Sequence, residues 1–265
     1  MSKPVRIFLA GVTLVGCVFP FFYLVLLSVT GRWPFPSVWP RSLTLDHWTD
    51  LFTGNNAMLS SLLLSLGVSL AVAALCTPAG YLIARLVARH PAKRLLLFLA
   101  YAPFVMSPVV LGTCLMFIYL KLHLAGSILG VILAQAMFAL GFAIVFFAPF
   151  WNREKAEMEG LVYTLGGSAW DAFRRVLIPL SRGMLLICFF QTFLISWFQY
   201  GLTLLIGAGK VQTLPLRVYE YVNEANIYYA ALASCLLILP PAVLLWINKR
   251  VVFGQVQGMS GEAGP

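Results

Sequence analysis

The sequence predicts an all-α protein, a polytopic membrane helical bundle of six transmembrane helices that forms one domain over residues 1–265. Its mean hydropathy is +0.90, and 61% of its residues are hydrophobic while only 10% are charged. This composition is typical of a membrane protein and excludes an ordinary soluble domain. Six apolar segments reach the length of about 20 residues that a helix needs to cross a hydrocarbon core of roughly 30 Å. Their period is helical and lacks the alternation of a membrane β-barrel.

The six predicted spans cover residues 7–29, 59–84, 95–120, 127–151, 183–207 and 227–247. None of them contains Asp, Glu, Lys or Arg. The first span is longer than a signal-peptide core and no clear cleavage site follows it, so we expect it to be retained. Seven prolines lie in or at the ends of spans, where they predict either hinges or kinks absorbed by packing: Pro20, Pro78, Pro103, Pro108, Pro149, Pro240 and Pro241.

The basic residues predict the orientation of the chain, because Lys and Arg near span ends stay in the cytoplasm. A cytoplasmic N-terminus gives a net charge of +8 inside (13 basic, 5 acidic) and +1 outside (5 basic, 4 acidic). In this arrangement Lys93 and Arg153 lie inside, whereas Lys121 and Lys210 lie outside. Both termini are then cytoplasmic. The basic excess is a topology signal, and nucleic-acid binding is excluded because no soluble basic face is present.

A charged segment between the fourth and fifth spans, residues 152–182, is here named the polar loop. It contains four of the nine acidic and five of the eighteen basic residues. Its first half predicts a short amphipathic helix with the charged residues, Glu159 among them, away from the apolar face. That face consists of Met158, Leu161, Val162 and Leu165.

The second half of the polar loop predicts another short helix after a hinge at Gly166 and Gly167. Ser168 and Asp171 have the spacing of a capping box, which satisfies free backbone amides at a helix start. We expect Pro179 to end this helix. Its apolar stripe consists of Trp170, Phe173, Val176, Leu177 and Leu180.

The spans offer few polar residues for a solute path. The strongest candidates are Gln135, Gln191 and Gln199, with Tyr200 beside the last. Buried amides commonly bond a neighbouring helix, but polar side chains also line transport paths, and both interpretations stay open here.

No pattern predicts a catalytic, metal or cofactor site. The five cysteines are scattered through the spans without metal-ligand spacing, and no histidine has a nucleophile or paired carboxylate nearby. The string Gly207-Ala208-Gly209-Lys210 resembles the end of a phosphate loop. However, Val211 replaces the required Ser or Thr and Leu204 replaces the first glycine, so we predict no ATPase site and no enzyme.

Residues 160–179 resemble the cytoplasmic EAA loop of permease subunits in bacterial ATP-binding-cassette (ABC) importers of type I. That pattern is Glu-Ala-Ala, three residues, Gly, nine residues and Ile-x-Leu-Pro. Gly160, Leu161 and Val162 stand at its first positions and Gly166 at its glycine. Val176, Ile178 and Pro179 stand at its end, and the acidic residue is Glu159, one position early. Residues 102–112 and 213–220 are also similar to family segments.

The resemblance implies a permease subunit in the bacterial inner membrane, surrounded by lipid, that forms the path for a solute. The implied partners are ABC ATPase subunits, a second permease subunit, identical or different, and an extracytoplasmic solute-binding protein. Similar family members carry polyamines, iron, thiamine or sulfate. The loop residues that the resemblance assigns to the ATPase contact are Glu159, Gly160, Leu161, Val162, Leu165, Gly166, Ser168, Trp170, Phe173 and Pro179.

Two alternatives remain at this stage, an ion-driven carrier and a non-transporting membrane scaffold. A carrier is expected to have ionisable residues at mid-membrane, and none is present in the spans. A scaffold has no need for the polar loop. A loop lying on lipid headgroups is disfavoured because anionic lipid repels its acidic first helix.

Overall fold

The computed structural model describes residues 3–33, 40, 42–53 and 57–261, and these are mostly helical. The all-α prediction is confirmed, with one small antiparallel pair of strands, β1 (Thr30–Arg32) and β2 (Ser42–Leu43). The helices are α1 (Lys3–Ser28), α2 (Asp46–Thr53), α3 (Ala57–Arg89), α4 (Lys93–Val105), α5 (Pro108–Lys121), α6 (Ile128–Phe147), α7 (Arg153–Thr164), α8 (Ala169–Asp171), a π-helical turn (Ala172–Leu177), α9 (Ile178–Trp197), α10 (Gly201–Gly207), α11 (Leu214–Asn223) and α12 (Ile227–Gly261).

Five helices among the described residues are long and apolar enough to cross a membrane. A bent pair, α4 and α5, gives a sixth span when it is counted as one. The polytopic bundle is therefore confirmed. The chain divides into two compact units, one of residues 1–64 and 213–243 and one of residues 65–212 and 244–265. The single permease domain over residues 1–265 stays a prediction.

The third span is not the continuous helix predicted over residues 95–120. Its halves α4 and α5 are bent by 98°. Met106 and Ser107 adopt extended backbone conformations, with ψ angles of 145° and 135°. The cause is local, since the ring of Pro108 disfavours helical geometry in the residue before it.

The fifth span also differs from its prediction over residues 183–207. The helix that starts in the polar loop continues through the π-helical turn into α9, so Pro179 does not end it. Proline lacks an amide hydrogen, and here it follows a π-helical turn, where the hydrogen-bond register has already changed. At the other end, the predicted span breaks after Trp197 and resumes at Gly201 as α10.

The larger unit is organised around α6, which packs against α4, α9 and α10. Small residues allow close helix approach, as at Gly80, where an added Cβ would lie 2.5 Å from the Cβ of Ala143. Near the end of α3 that leads to α4, a buried aromatic cluster includes Tyr81, Phe147 and Trp151. This cluster supports the polar loop.

The smaller unit contains α1, the two strands, α2, the first turns of α3, α11 and the first part of α12. Side-chain hydrogen bonds connect these elements. The Tyr229 hydroxyl donates to Asp50 (3.0 Å), and the Arg217 Nε donates to Ser61 (3.2 Å).

Two groups of polar residues in the larger unit bear on the predicted orientation. Lys93 and Arg153 line one cavity. Elsewhere the Lys210 side chain lies against Gly126, in the loop that follows Lys121. The assignment of the first group to the cytoplasm stays a prediction, and residues 1, 2 and 262–265 lie outside the described residues.

Candidate functional site

The polar loop is a folded helix-turn-helix. The Asn152 side chain accepts a hydrogen bond from the Lys155 amide (3.1 Å) and starts α7. At its end, the amides of Gly166 and Gly167 donate to the carbonyls of Tyr163 (3.0 Å) and Val162 (2.9 Å). These two bonds form a Schellman motif, which places the residue after the C-cap in the left-handed region. Gly166 has φ +80°, so the predicted helix break at the glycine pair is confirmed.

The start of the second loop helix is also confirmed. The Asp171 amide donates to Ser168 Oγ (3.2 Å), and the Ser168 amide donates to Asp171 Oδ2 (3.1 Å). Both bonds of a capping box are therefore present. Hydrogen bonds from Ser168 to the ionised carboxylate lower the pKa of Asp171.

Three large apolar side chains of the polar loop are exposed on the surface of the larger unit. Leu161 is 62% exposed, Leu165 87% and Trp170 63%. Gly160 lies on the same helix with open space around its Cα, whereas Val162 packs against Gly167. Exposed large apolar residues on a polar segment are typical of a protein interaction surface.

Glu159 differs from its prediction as a residue of the polar face. It is only 3% exposed, and its carboxylate forms ion pairs with Arg85 and Arg89. The Tyr163 hydroxyl donates a third bond to it (2.8 Å). The carboxylate is directed into the larger unit and is already fully paired, which leaves no free oxygen surface for a partner protein.

The environment of Glu159 favours its ionised form. Burial opposes ionisation of this carboxyl, but the hydrogen bond from Tyr163 and the charges of Arg85 and Arg89 outweigh it and lower the pKa. The loop helix α7 is thus attached to α3 by a charged contact.

Arg85 makes further contacts with the loop. Its guanidinium lies over the ring of Trp151 (5.6 Å) and over that of Phe173 (5.8 Å), which are cation–π contacts. Phe173 is half-buried against the aromatic cluster that includes Tyr81. One arginine on α3 therefore contacts α7, the segment between α6 and α7, and the π-helical turn. The sequence reasoning missed Arg85, although the spacing of Arg85 and Arg89 at i and i+4 after an apolar run was a signal for it.

Among the predicted path residues, Gln135 is a buried connection between helices. Its Nε2 donates to Thr203 Oγ1 (2.8 Å), and its Oε1 accepts from Ser196. The hydroxyl oxygens of Ser196 and Ser69 lie 3.3 Å apart, so Ser69 can donate to Ser196. These bonds connect α3, α6, α9 and α10. Gln191, by contrast, is exposed on α9.

Gln199 and Tyr200 lie in the break between α9 and α10. Gln199 is buried, and its Nε2 has no hydrogen-bond partner among the described residues. A Cβ added at Gly201 would lie 3.0 Å from Val109 Cγ2, so this break adjoins the one at Pro108. Paired helix breaks of this kind are typical of transport paths in membrane proteins.

The described residues contain no group of three or more His, Cys, Asp or Glu side chains that could hold a metal ion. The string at residues 207–210 lies at the C-terminal end of α10. A phosphate loop instead leads into a helix N-terminus, where free amides face the phosphate.

The architecture agrees with a comparison of the sequence with known families. Residues 76–253, more than half of the chain, match the family described as binding-protein-dependent transport system inner membrane component. The chain belongs to this family. It is accordingly a permease subunit of a bacterial ABC importer of type I, a multi-pass protein of the inner membrane.

Named relatives of this permease share about a quarter of its residues. The trehalose transport system permease protein SugB of Mycobacterium tuberculosis is 26% identical, covering 83% of this chain and 82% of the relative. The molybdenum transport system permease protein ModB of Haemophilus influenzae is 26% identical, covering 73% and 94%. The sulfate transport system permease protein CysW of Escherichia coli K12 is 26% identical, covering 65% and 65%. The carrier and scaffold alternatives are not favoured.

Proposed function

We propose that the polar loop is the coupling surface through which this permease engages a separate ABC ATPase subunit. The permease itself has no ATPase site in this proposal. The observation that carries it is the exposure of Leu161, Leu165 and Trp170 on a loop that is otherwise folded and attached to the spans. Glu159, buried by its arginine partners, is excluded from this surface.

The proposed contact is a helix placed in a groove of the ATPase, with apolar side chains as anchors. Fully burying one Leu side chain contributes about 1.5–3 kcal/mol. Leu165 is 87% exposed, so its burial in the ATPase groove would contribute most of this free energy. The other assigned loop residues shape the surface: Gly160 provides open space, Val162 packs inside the turn, and Gly166 and Ser168 fix the angle between the two helices.

The contacts of the loop suggest how motion of the ATPase reaches the spans. Glu159 cannot separate from Arg85 without leaving a charge unpaired, and such a separation costs far more in a buried pair than in an exposed one. The helix from Ala169 to Trp197 is also continuous with the fifth span. Displacement of the loop therefore moves α3 and α9 together, as rigid-body rocking requires.

The remaining partners follow from the family description. We propose a second permease subunit, identical or different, across the solute path and a binding protein that delivers the solute from outside. Gln199 and Tyr200, in the break of the fifth span, are proposed to line the path, whereas Gln135 holds helices together. Relatives named for trehalose, molybdenum and sulfate differ widely in their solutes. We therefore assign solute selection to the binding protein.

The docking surface is tested with Leu165→Asp and with Leu43→Asp as the matched control. Leu43 is also an exposed leucine, but it lies on β2 in the other unit. We expect the ATPase to co-purify from membranes with the Leu43 variant and to be lost with the Leu165 variant. ATPase recovery at the wild-type level with Leu165→Asp contradicts the docking role. Vanadate-sensitive ATP hydrolysis by the isolated permease contradicts the assignment of energy supply to a partner.

The orientation is tested by single cysteines in a variant without native cysteines. With both termini cytoplasmic, an impermeant maleimide should label intact cells at positions 121 and 210, and not at positions 93 and 153. Labelling at position 153 in intact cells reverses the topology.

A further inference from the structure

We propose that the base of the polar loop contains a phosphate-binding pocket, and that its ligand is the headgroup of an anionic phospholipid. The pocket is a cavity of about 260 Å³ between the end of α3, the start of α4 and the start of α7. Its charged lining consists of Arg85, Arg89, Lys93, Arg153 and Glu159. Four cations and one carboxylate give the lining a net charge of +3.

The single carboxylate of the lining is already saturated. Glu159 accepts from Arg85, Arg89 and Tyr163, which use both of its oxygens. Each guanidinium gives it only one of several N–H groups. Arg85 Nε is buried without a hydrogen-bond partner among the described residues. The cavity is also lined by Arg85 and Arg89, and the N–H groups that they do not give to Glu159 are the donors proposed to bind an anion there.

Lys93 contributes a charge that has no carboxylate partner among the described residues. It lines the cavity and is half-buried. Arg153 has only Glu157 as a partner, and that pair is on the solvent side of α7. Cations near span ends are common because they fix topology, but Arg85, Arg89 and Lys93 line one cavity.

The size and position of the cavity favour a lipid phosphate. A cavity of about 260 Å³ has room for a phosphate with its ester oxygens but not for the acyl chains of a lipid. Arg85 and Arg89 lie at the end of a membrane-spanning helix. Basic pockets between spans bind anionic headgroups.

The pocket also has a consequence for the loop. A phosphate on Arg85, Arg89 and Lys93 would add an acceptor to the same cations that hold Glu159, and so would connect α3, α4 and α7. Anionic lipid is therefore expected to stabilise the attached position of the polar loop. This inference depends on the membrane location of the chain and not on the proposed ATPase contact.

The test uses the permease as purified from membranes with its associated subunits and reconstituted in nanodiscs. Wild-type protein is compared in phosphatidylcholine alone, in phosphatidylcholine with phosphatidylglycerol, and in phosphatidylcholine with millimolar inorganic phosphate. Retained lipid is measured by native mass spectrometry and loop attachment by hydrogen exchange of α7. We expect the protein to retain phosphatidylglycerol. We also expect α7 amides to exchange more slowly with phosphatidylglycerol than in phosphatidylcholine alone or with inorganic phosphate.

The variants are Lys93→Gln, which removes a lining cation, and Arg94→Gln as the matched control. Arg94 is the next residue, is exposed and does not line the cavity. Neither change touches the cations that hold Glu159. We expect Lys93→Gln to reduce retained phosphatidylglycerol about fivefold, the effect of one Lys near an anionic surface, while Arg94→Gln changes it by less than about twofold.

If the two variants lose the same amount of retained phosphatidylglycerol, the attraction is a diffuse one to the membrane surface, and the proposed pocket is wrong. Inorganic phosphate that slows α7 exchange as much as phosphatidylglycerol does would overturn the lipid assignment. Absence of any anion effect on the wild type would overturn both.

Discussion

The substitution Gly166→Val tests the turn of the polar loop, because it strains one backbone conformation and changes no packing contact. Gly166 has φ +80°, and a Cβ built there meets nothing within 4 Å. The cost of a side chain at this position is therefore purely conformational. A β-branched residue in the left-handed region is strained by about 1–3 kcal/mol.

We expect this strain to disturb the angle between the two loop helices while the spans remain inserted. If the whole strain energy opposes the docked conformation, ATPase association weakens by between about fivefold and about 150-fold. The measurement is ATPase co-purification at matched expression, together with hydrogen exchange of the loop and uptake of the solute that the binding protein identifies. Uptake should be lost in the Val variant and reduced less in Gly166→Ala.

Gly209→Val is the matched control for this experiment. Gly209 also has a positive φ (+74°) and open space around its Cα, but it lies after α10, outside the polar loop. A valine there carries the same kind of backbone strain, so ATPase association should stay at the wild-type level. Wild-type association, exchange and uptake in Gly166→Val would refute both the turn geometry and the coupling role of the loop.

Two further predictions concern buried polar contacts. The depressed pKa of Glu159 means that its ion pairs contribute fully to loop attachment above its ordinary pKa of 4.5 and lose this contribution as the pH falls through the lowered value. Exchange of α7 amides, corrected for intrinsic rates, should be unchanged between pH 8 and pH 5 and should rise in more acidic solution; a rise near pH 6 would contradict the assignment. Gln135→Leu removes two interhelical hydrogen bonds and should lower the free energy of unfolding by about 1–2 kcal/mol, seen as a lower Tm in detergent, without loss of uptake. Lost uptake at an unchanged Tm would place Gln135 in the solute path instead.

The sequence by itself determined the features that depend on composition and local backbone chemistry. A run of about 20 apolar residues is long enough to cross hydrocarbon as a helix, so the approximate position of each span was predictable without a fold. The turn at Gly166 and the cap at Ser168 were predictable for a similar reason, since their hydrogen bonds connect residues only three to five positions apart.

Only the tertiary structure decided which polar side chains are buried and what they contact. Glu159 is buried, although its neighbours along α7 are partly or fully exposed. Its partners Arg85 and Arg89 lie 74 and 70 residues away in the sequence. Gln135 likewise bonds Ser196 and Thr203, 61 and 68 residues away. Helical period identifies a face but not what packs against it, which is why Glu159 was assigned to the solvent side.

The helix breaks at Pro108 and Gln199 were predictable from the sequence only in part. Proline makes an interruption possible, but the same residue type is absorbed at Pro179, where the helix continues. Whether a helix bends or continues depends on how the freed backbone groups are satisfied by their surroundings in the folded bundle. Those surroundings come from distant parts of the chain, and no local pattern in the sequence contains them.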